Sequence, residues 1–141
     1  MIPSHTVGDA LRALARAGRI ASPWLPGMQV LLDRGRFGGV IPFRRFGHDQ
    51  WIFPSEVTTS NRLIDAGAEV DLDDPATVGL LLVQLRSALG LPYLAVVWSP
   101  HIGWGVYNGS ELLFANQPDH AKEARAVAAA LIAVAAELGA P

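Results

Sequence analysis

Cysteine is absent from the 141 residues, and lysine occurs once, at Lys122. A chain without cysteine has no disulfide, no thiolate metal site and no thiol nucleophile, and it carries no mark of its redox compartment. Ten of the eleven cationic residues are arginine, and alanine is abundant. A GC-rich coding sequence produces both biases, so the arginine preference needs no functional cause. Long hydrophobic runs are also missing. The opening "MIPSHTVGDALRALARAGRI" has no uninterrupted apolar core of the signal-peptide type. The longest stretch of the last helical segment without a polar side chain, 126–136, has 11 residues, against about 20 for a membrane span. The expectation is a soluble cytoplasmic protein with no membrane partner.

Catalytic and cofactor motifs are equally scarce. His5, His48, His101 and His120 show no i, i+4 pair and no HExxH. "GRFGG" lacks the Lys-Ser/Thr and the helix of a phosphate loop. "DLDDP" groups Asp71, Asp73 and Asp74, but it lacks the D-x-D-x-D-G spacing of a calcium loop and reads as a helix start that favours negative charge. "WSPHIGW" sets Ser99 near His101, but in a strand–turn–strand context rather than a nucleophile elbow. No metal, no cofactor and no catalytic residue is assigned.

Half of the residues are hydrophobic, enough for one α+β domain over residues 1–141. Charge is unevenly spread. Residues 1–62 hold eight arginines against four acids, net +4, and residues 63–141 hold three cations against nine acids, net −6. Such asymmetry marks either a binding surface or two faces that attract each other within one fold.

Helix signals are clear. Thr6 caps a first helix with stripe Val7, Ala10, Leu11 and Leu14, ended by Gly18. Asp74 and Pro75 open a central helix that Gly90 and Pro92 close. Its apolar residues Val78, Leu80, Leu81, Leu82, Val83, Leu85 and Leu89 cover more than one face, so burial on several sides is expected. A final helix carries Ala121, Ala124, Val127, Ala128, Leu131, Ile132, Ala135 and Leu138 in helical spacing, and its alanine-rich face suits self-association.

Between the helices, "MQVLLD", "GGVIPF" and "DQWIF" read as short strands, with Pro42 placing the second at an edge or a bulge. A short helix is expected over 56–66. Residues 93–98, 103–107 and 111–115 read as a meander turning on Asn108-Gly109. The predicted fold is α+β: an antiparallel sheet including this C-terminal three-stranded meander, with N-terminal, central and C-terminal helices packed mainly on one side.

The stretch "DLDDPATVGLLLVQL", with its tryptophan-bearing strands and Ala-rich last helix, resembles a family of small uncharacterised phage and prophage proteins over residues 71–138. The resemblance rests on Asp73-Asp74-Pro75-Ala76-Thr77 and Gly79. Leu80 departs from it, standing where a small or polar residue is usual. It implies a viral context and a host-cell cytoplasm, and no activity.

The remaining candidate is "RGRFGGVIPFRRFGHDQWIF". Arg34, Arg36, Arg44 and Arg45 alternate with aromatics, and alternation sends Phe43 and Arg44 to opposite faces. With Arg12, Arg16, Phe46 and Trp51 they are the candidate contacts to a protein or to phosphate, and Arg19 extends the basic area. The function expected is a non-enzymatic phage-derived protein that binds a host or phage protein, as an inhibitor of a host defence system or a virion accessory. A nucleic-acid-binding accessory protein and a small hydrolase are the alternatives.

Overall fold

The computed structural model describes residues 6–33, 39–46, 50–52, 67–114 and 122–138. These form α1 (Val7–Arg16), β1 (Gln29–Asp33), β2 (Val40–Phe46), β3 (Gln50–Ile52), β4 (Glu69–Val70), α2 (Pro75–Leu89), β5 (Leu94–Ser99), β6 (Gly103–Asn108), β7 (Glu111–Phe114) and α3 (Glu123–Leu138). The strands make two antiparallel sheets, ordered β3-β2-β1-β4 and β5-β6-β7. The fold is α+β with a C-terminal meander, as the sequence predicts. The helix expected over 56–66 lies outside the described residues.

The caps are where the side chains place them. Thr6 Oγ1 accepts the Asp9 N–H at 3.1 Å, and Asp74 accepts that of Thr77 at 3.1 Å. Gly18 (φ 74°) and Gly90 (φ 67°) end the first two helices in the left-handed region that favours glycine.

The central position belongs to α3, not to α2. Ala126, Val127, Ala128, Ala130, Leu131, Val134 and Ala135 are buried, and α3 packs on α1, α2, β5 and β6. Alanine lets helix axes approach closely, so one helix can serve several neighbours. Helix α2 buries one stripe, Thr77, Leu81, Gln84, Leu85 and Ala88, while Val83 is exposed. Leu80, Leu82 and Leu89 flank that stripe and are partly buried against the core, so the expected burial on several sides is met in part, with Val83 on the open side. Much of the alanine of α3 is spent on these neighbours within the chain, while Ala133 and Ala136 stay exposed on its outer face.

Three further details depart from expectation. β2 is an inner strand, with β3 on its other side. Arg45 donates its N–H to Met28 O at 2.8 Å, so alternation turns the backbone of Pro42 away from β1. Among the described residues the β3 register reaches only Arg44, opposite Ile52, and there the missing N–H of proline removes no ladder bond. The C-terminal hairpin turns one residue later than expected. Asn108 pairs with Glu111, which leaves Gly109-Ser110 as the two-residue loop, with Gly109 at φ 63°. Strand β4, hidden in a polar stretch, pairs with β1 through Val30↔Val70.

The α1–β4 contact explains one glycine. A Cβ at Gly8 would lie 2.9 Å from Ala68 O. Gly8 also donates its N–H to Glu69 Oε1 at 2.6 Å, setting a carboxylate against the positive end of α1.

Candidate interaction surface

The basic candidates separate into different roles. Arg44 forks onto Asp74, Nη2 to Oδ1 at 3.0 Å and Nη1 to Oδ2 at 3.2 Å. It also donates to Gly27 O at 2.7 Å and Gln29 Oε1 at 2.9 Å. Arg12 donates to Ala68 O at 2.7 Å and lies 5.6 Å from the ring centre of buried Trp24. Both guanidiniums thus hold elements of the fold together. Arg16 ends α1 and Arg19 lies just beyond it, both exposed, and Arg45 is half-buried in β2. Phe46 and Trp51 lie at the β2–β3 pairing, Trp51 opposite Arg45. Arg34 and Arg36 lie outside the described residues.

The acids of "DLDDP" build a clamp. Asp74 accepts from Arg44 and from Thr77 Oγ1 at 2.5 Å, while Thr77 Oγ1 accepts the Gln29 N–H at 2.8 Å. Gln29 Nε2 donates to Asp71 Oδ2 at 2.7 Å, and Asp71 Oδ1 accepts the Asp73 N–H at 3.0 Å. The Arg44 fork foremost, then the Thr77 bonds, hold the Asp74 carboxyl below the usual range against the opposing effect of burial. β1 and β2 are thereby tied to the first turn of α2. Among the described residues no group of three or more His, Asp or Glu is placed to hold a metal ion. Ser99 Oγ accepts the Ile102 N–H at 3.3 Å, closing the turn that carries exposed His101.

The surface that sequence reasoning missed is the outer edge of the meander. Among the described residues, β5 has β6 as its one strand neighbour. Leu94 directs both backbone groups away from β6: it donates to Leu91 O at 3.3 Å and accepts from Arg86 Nε at 2.9 Å. By the two-residue alternation of a strand, Val96 and Trp98 also point their N–H and C=O groups outward. The side chains along this edge are apolar and open: Tyr93 is 84% exposed, Val97 45% and Trp98 57%.

No family model, curated protein or solved structure matches this chain.

Trp98 sits opposite Trp104 on the side of the sheet where Leu94 and Val106 are buried. The aromatic pair extends that face beyond the core residues. On the other side, a Cβ at Gly105 would stand 3.0 Å from both Leu112 Cδ1 and Tyr107 Cε2, so these side chains lie over the glycine. The cue in the sequence is the uncharged run "YLAVVWS", which lacks the lysine or proline that normally blunts a sheet edge. Among the described residues, no helix is long and apolar enough to cross a membrane.

Proposed function

We propose that this chain is a non-enzymatic binding protein that engages a host or phage protein in a viral setting, with the β5 edge as its interaction surface. The observation that carries the reading is the exposed Trp98, with Val97 and Tyr93, on a strand whose backbone points outward. Exposed large apolar side chains mark protein-binding sites, here on both faces of one strand, and an open edge supplies main-chain bonds that give affinity. Tryptophan and tyrosine are the side chains most often dominant in binding energy. The DDPATxG helix start, through its likeness to phage and prophage proteins, supports the viral setting.

A nucleic-acid reading has less support, because Arg12 and Arg44 are engaged within the fold. The test is recovery of a bound protein from host lysate, with and without nuclease, by the wild type and by Trp98→Lys. Nuclease-resistant recovery that Trp98→Lys abolishes, with the far-UV spectrum unchanged, is expected. Recovery that nuclease removes, or that the substitution leaves intact, refutes the reading.

A further inference from the structure

We infer that the β5 edge pairs with the β5 edge of a second copy of this chain, antiparallel about a twofold axis at Val97. This rests on the reading of that edge as the binding surface, and it names what covers the edge when no target is bound. Among the described residues, the backbone groups of β5 left for pairing belong to Val96 and Trp98. With Val97 on the axis, Val96 of each copy faces Trp98 of the other, and each such pair exchanges both of its N–H···O=C bonds.

One step further out, Leu94 meets Pro100 of the second copy. Proline has no N–H to give. The Leu94 carbonyl needs none, because Arg86 already donates to it, and the Leu94 N–H is spent on Leu91. The pairing therefore ends on both sides with only the carbonyl of exposed Pro100 left to solvent. An axis at Ala95 would set Leu94, whose groups are already spent, opposite Val96. An axis at Ser99 would set Pro100 opposite Trp98 and waste an acceptor. The axis at Val97 is thus the one that uses both backbone groups of Val96 and both of Trp98.

Residues Leu94–Ser99 carry no charge, and the chain's net charge is only −2, so little repulsion opposes pairing at the axis. The two three-stranded sheets would become one continuous sheet. Each Trp98 would gain Val96 of the second copy as a cross-strand neighbour beside its own Trp104.

The inference is tested by sedimentation equilibrium of the full chain, which is expected to show twice its 15.0 kDa mass. Val97 stands opposite itself, so Val97→Lys and Val97→Glu each bring like charges face to face. Each is expected to weaken the dimer by roughly fivefold, and an equimolar mixture of the two to restore it. Val97 is exposed, so folding should survive. In the wild type, amide exchange at Val96 and Trp98 should slow as concentration rises, which reads the same pairing without a substitution.

A wild type that stays monomeric up to its solubility limit overturns the inference. So does a dimer that is indifferent to both charges or that mixing fails to restore. A monomer that still loses its nuclease-resistant target through Trp98→Lys would refute the self-pairing alone and leave the binding surface in place.

Discussion

Replacing Asp74 tests how the first sheet is fastened to α2. The Asp74 side chain is 15% exposed and Arg44 is 43% exposed. Asp74→Ala removes an N-cap, at about 1 kcal/mol. It also removes the acceptor for the buried Thr77 hydroxyl, about 1 kcal/mol, and the Arg44 fork, which solvent screening holds to under about 1 kcal/mol. The total is roughly 2–3 kcal/mol. Asp74→Asn keeps the cap and the acceptor and loses mainly the charge, so it should cost about 1 kcal/mol or less.

The assay is urea unfolding, with an unchanged denaturant slope as the condition for comparing midpoints. Acid adds a second axis. The folded carboxyl titrates below its ordinary value of 3.8. Its contribution is therefore complete above that value and is lost as pH falls through the lower folded one. The gap between wild type and Asp74→Asn should be flat near neutrality and close on acidification. If Asp74→Asn costs as much as Asp74→Ala, or the gap widens in acid, the division between cap and charge is wrong.

Leu131→Ala, at a fully buried site on α3, should cost about 2–5 kcal/mol in urea unfolding. The exposed Ala133→Ser on the same helix should cost under about 1 kcal/mol. Gly90→Ala meets no atom but must hold φ 67°, and should cost roughly 1–2 kcal/mol by thermal unfolding. Gly105→Ala has ordinary φ but crowds Tyr107 and Leu112; a loss of about 1–3 kcal/mol with a changed near-UV tyrosine signal is expected. Ser99→Ala and His101→Ala should leave function within a few-fold of wild type; a loss of activity near a thousandfold with the fold intact would point to the hydrolase alternative.

What was legible in the sequence was local. Thr6, Asp74-Pro75, Gly18 and Gly90 act within one turn of their own helices, so their chemistry alone places the ends. What was not legible depended on partners distant in sequence. Apolar residues all round α2 looked like the centre of the fold, but alanine's small size made α3 the helix that several neighbours can approach. Strand β4 has two residues and exists because β1 lies beside it. The Asn-Gly signal located the hairpin but not its register, which also absorbs a bulge near Val106 and Tyr107. The arginines were read as one basic area because sequence does not say that Asp74 and Ala68 O would claim two of them. The β5 edge was written in an uncharged run, but a strand becomes an edge only through the order in which its sheet is assembled.

The place of α3 bears on how this chain is made. Helix α1 buries Leu11 and Leu14 in a core whose nearest helical wall is α3. Between Arg16 and Glu123 lie more than a hundred residues of chain. At ordinary rates of synthesis that separation lasts on the order of 5–20 s. For that interval the apolar face of α1 has no helical wall to close on, and the meander lacks the helix that packs on β5 and β6. Assembly must therefore wait for non-local closure, which favours slow folding and leaves apolar surface open until α3 has been made.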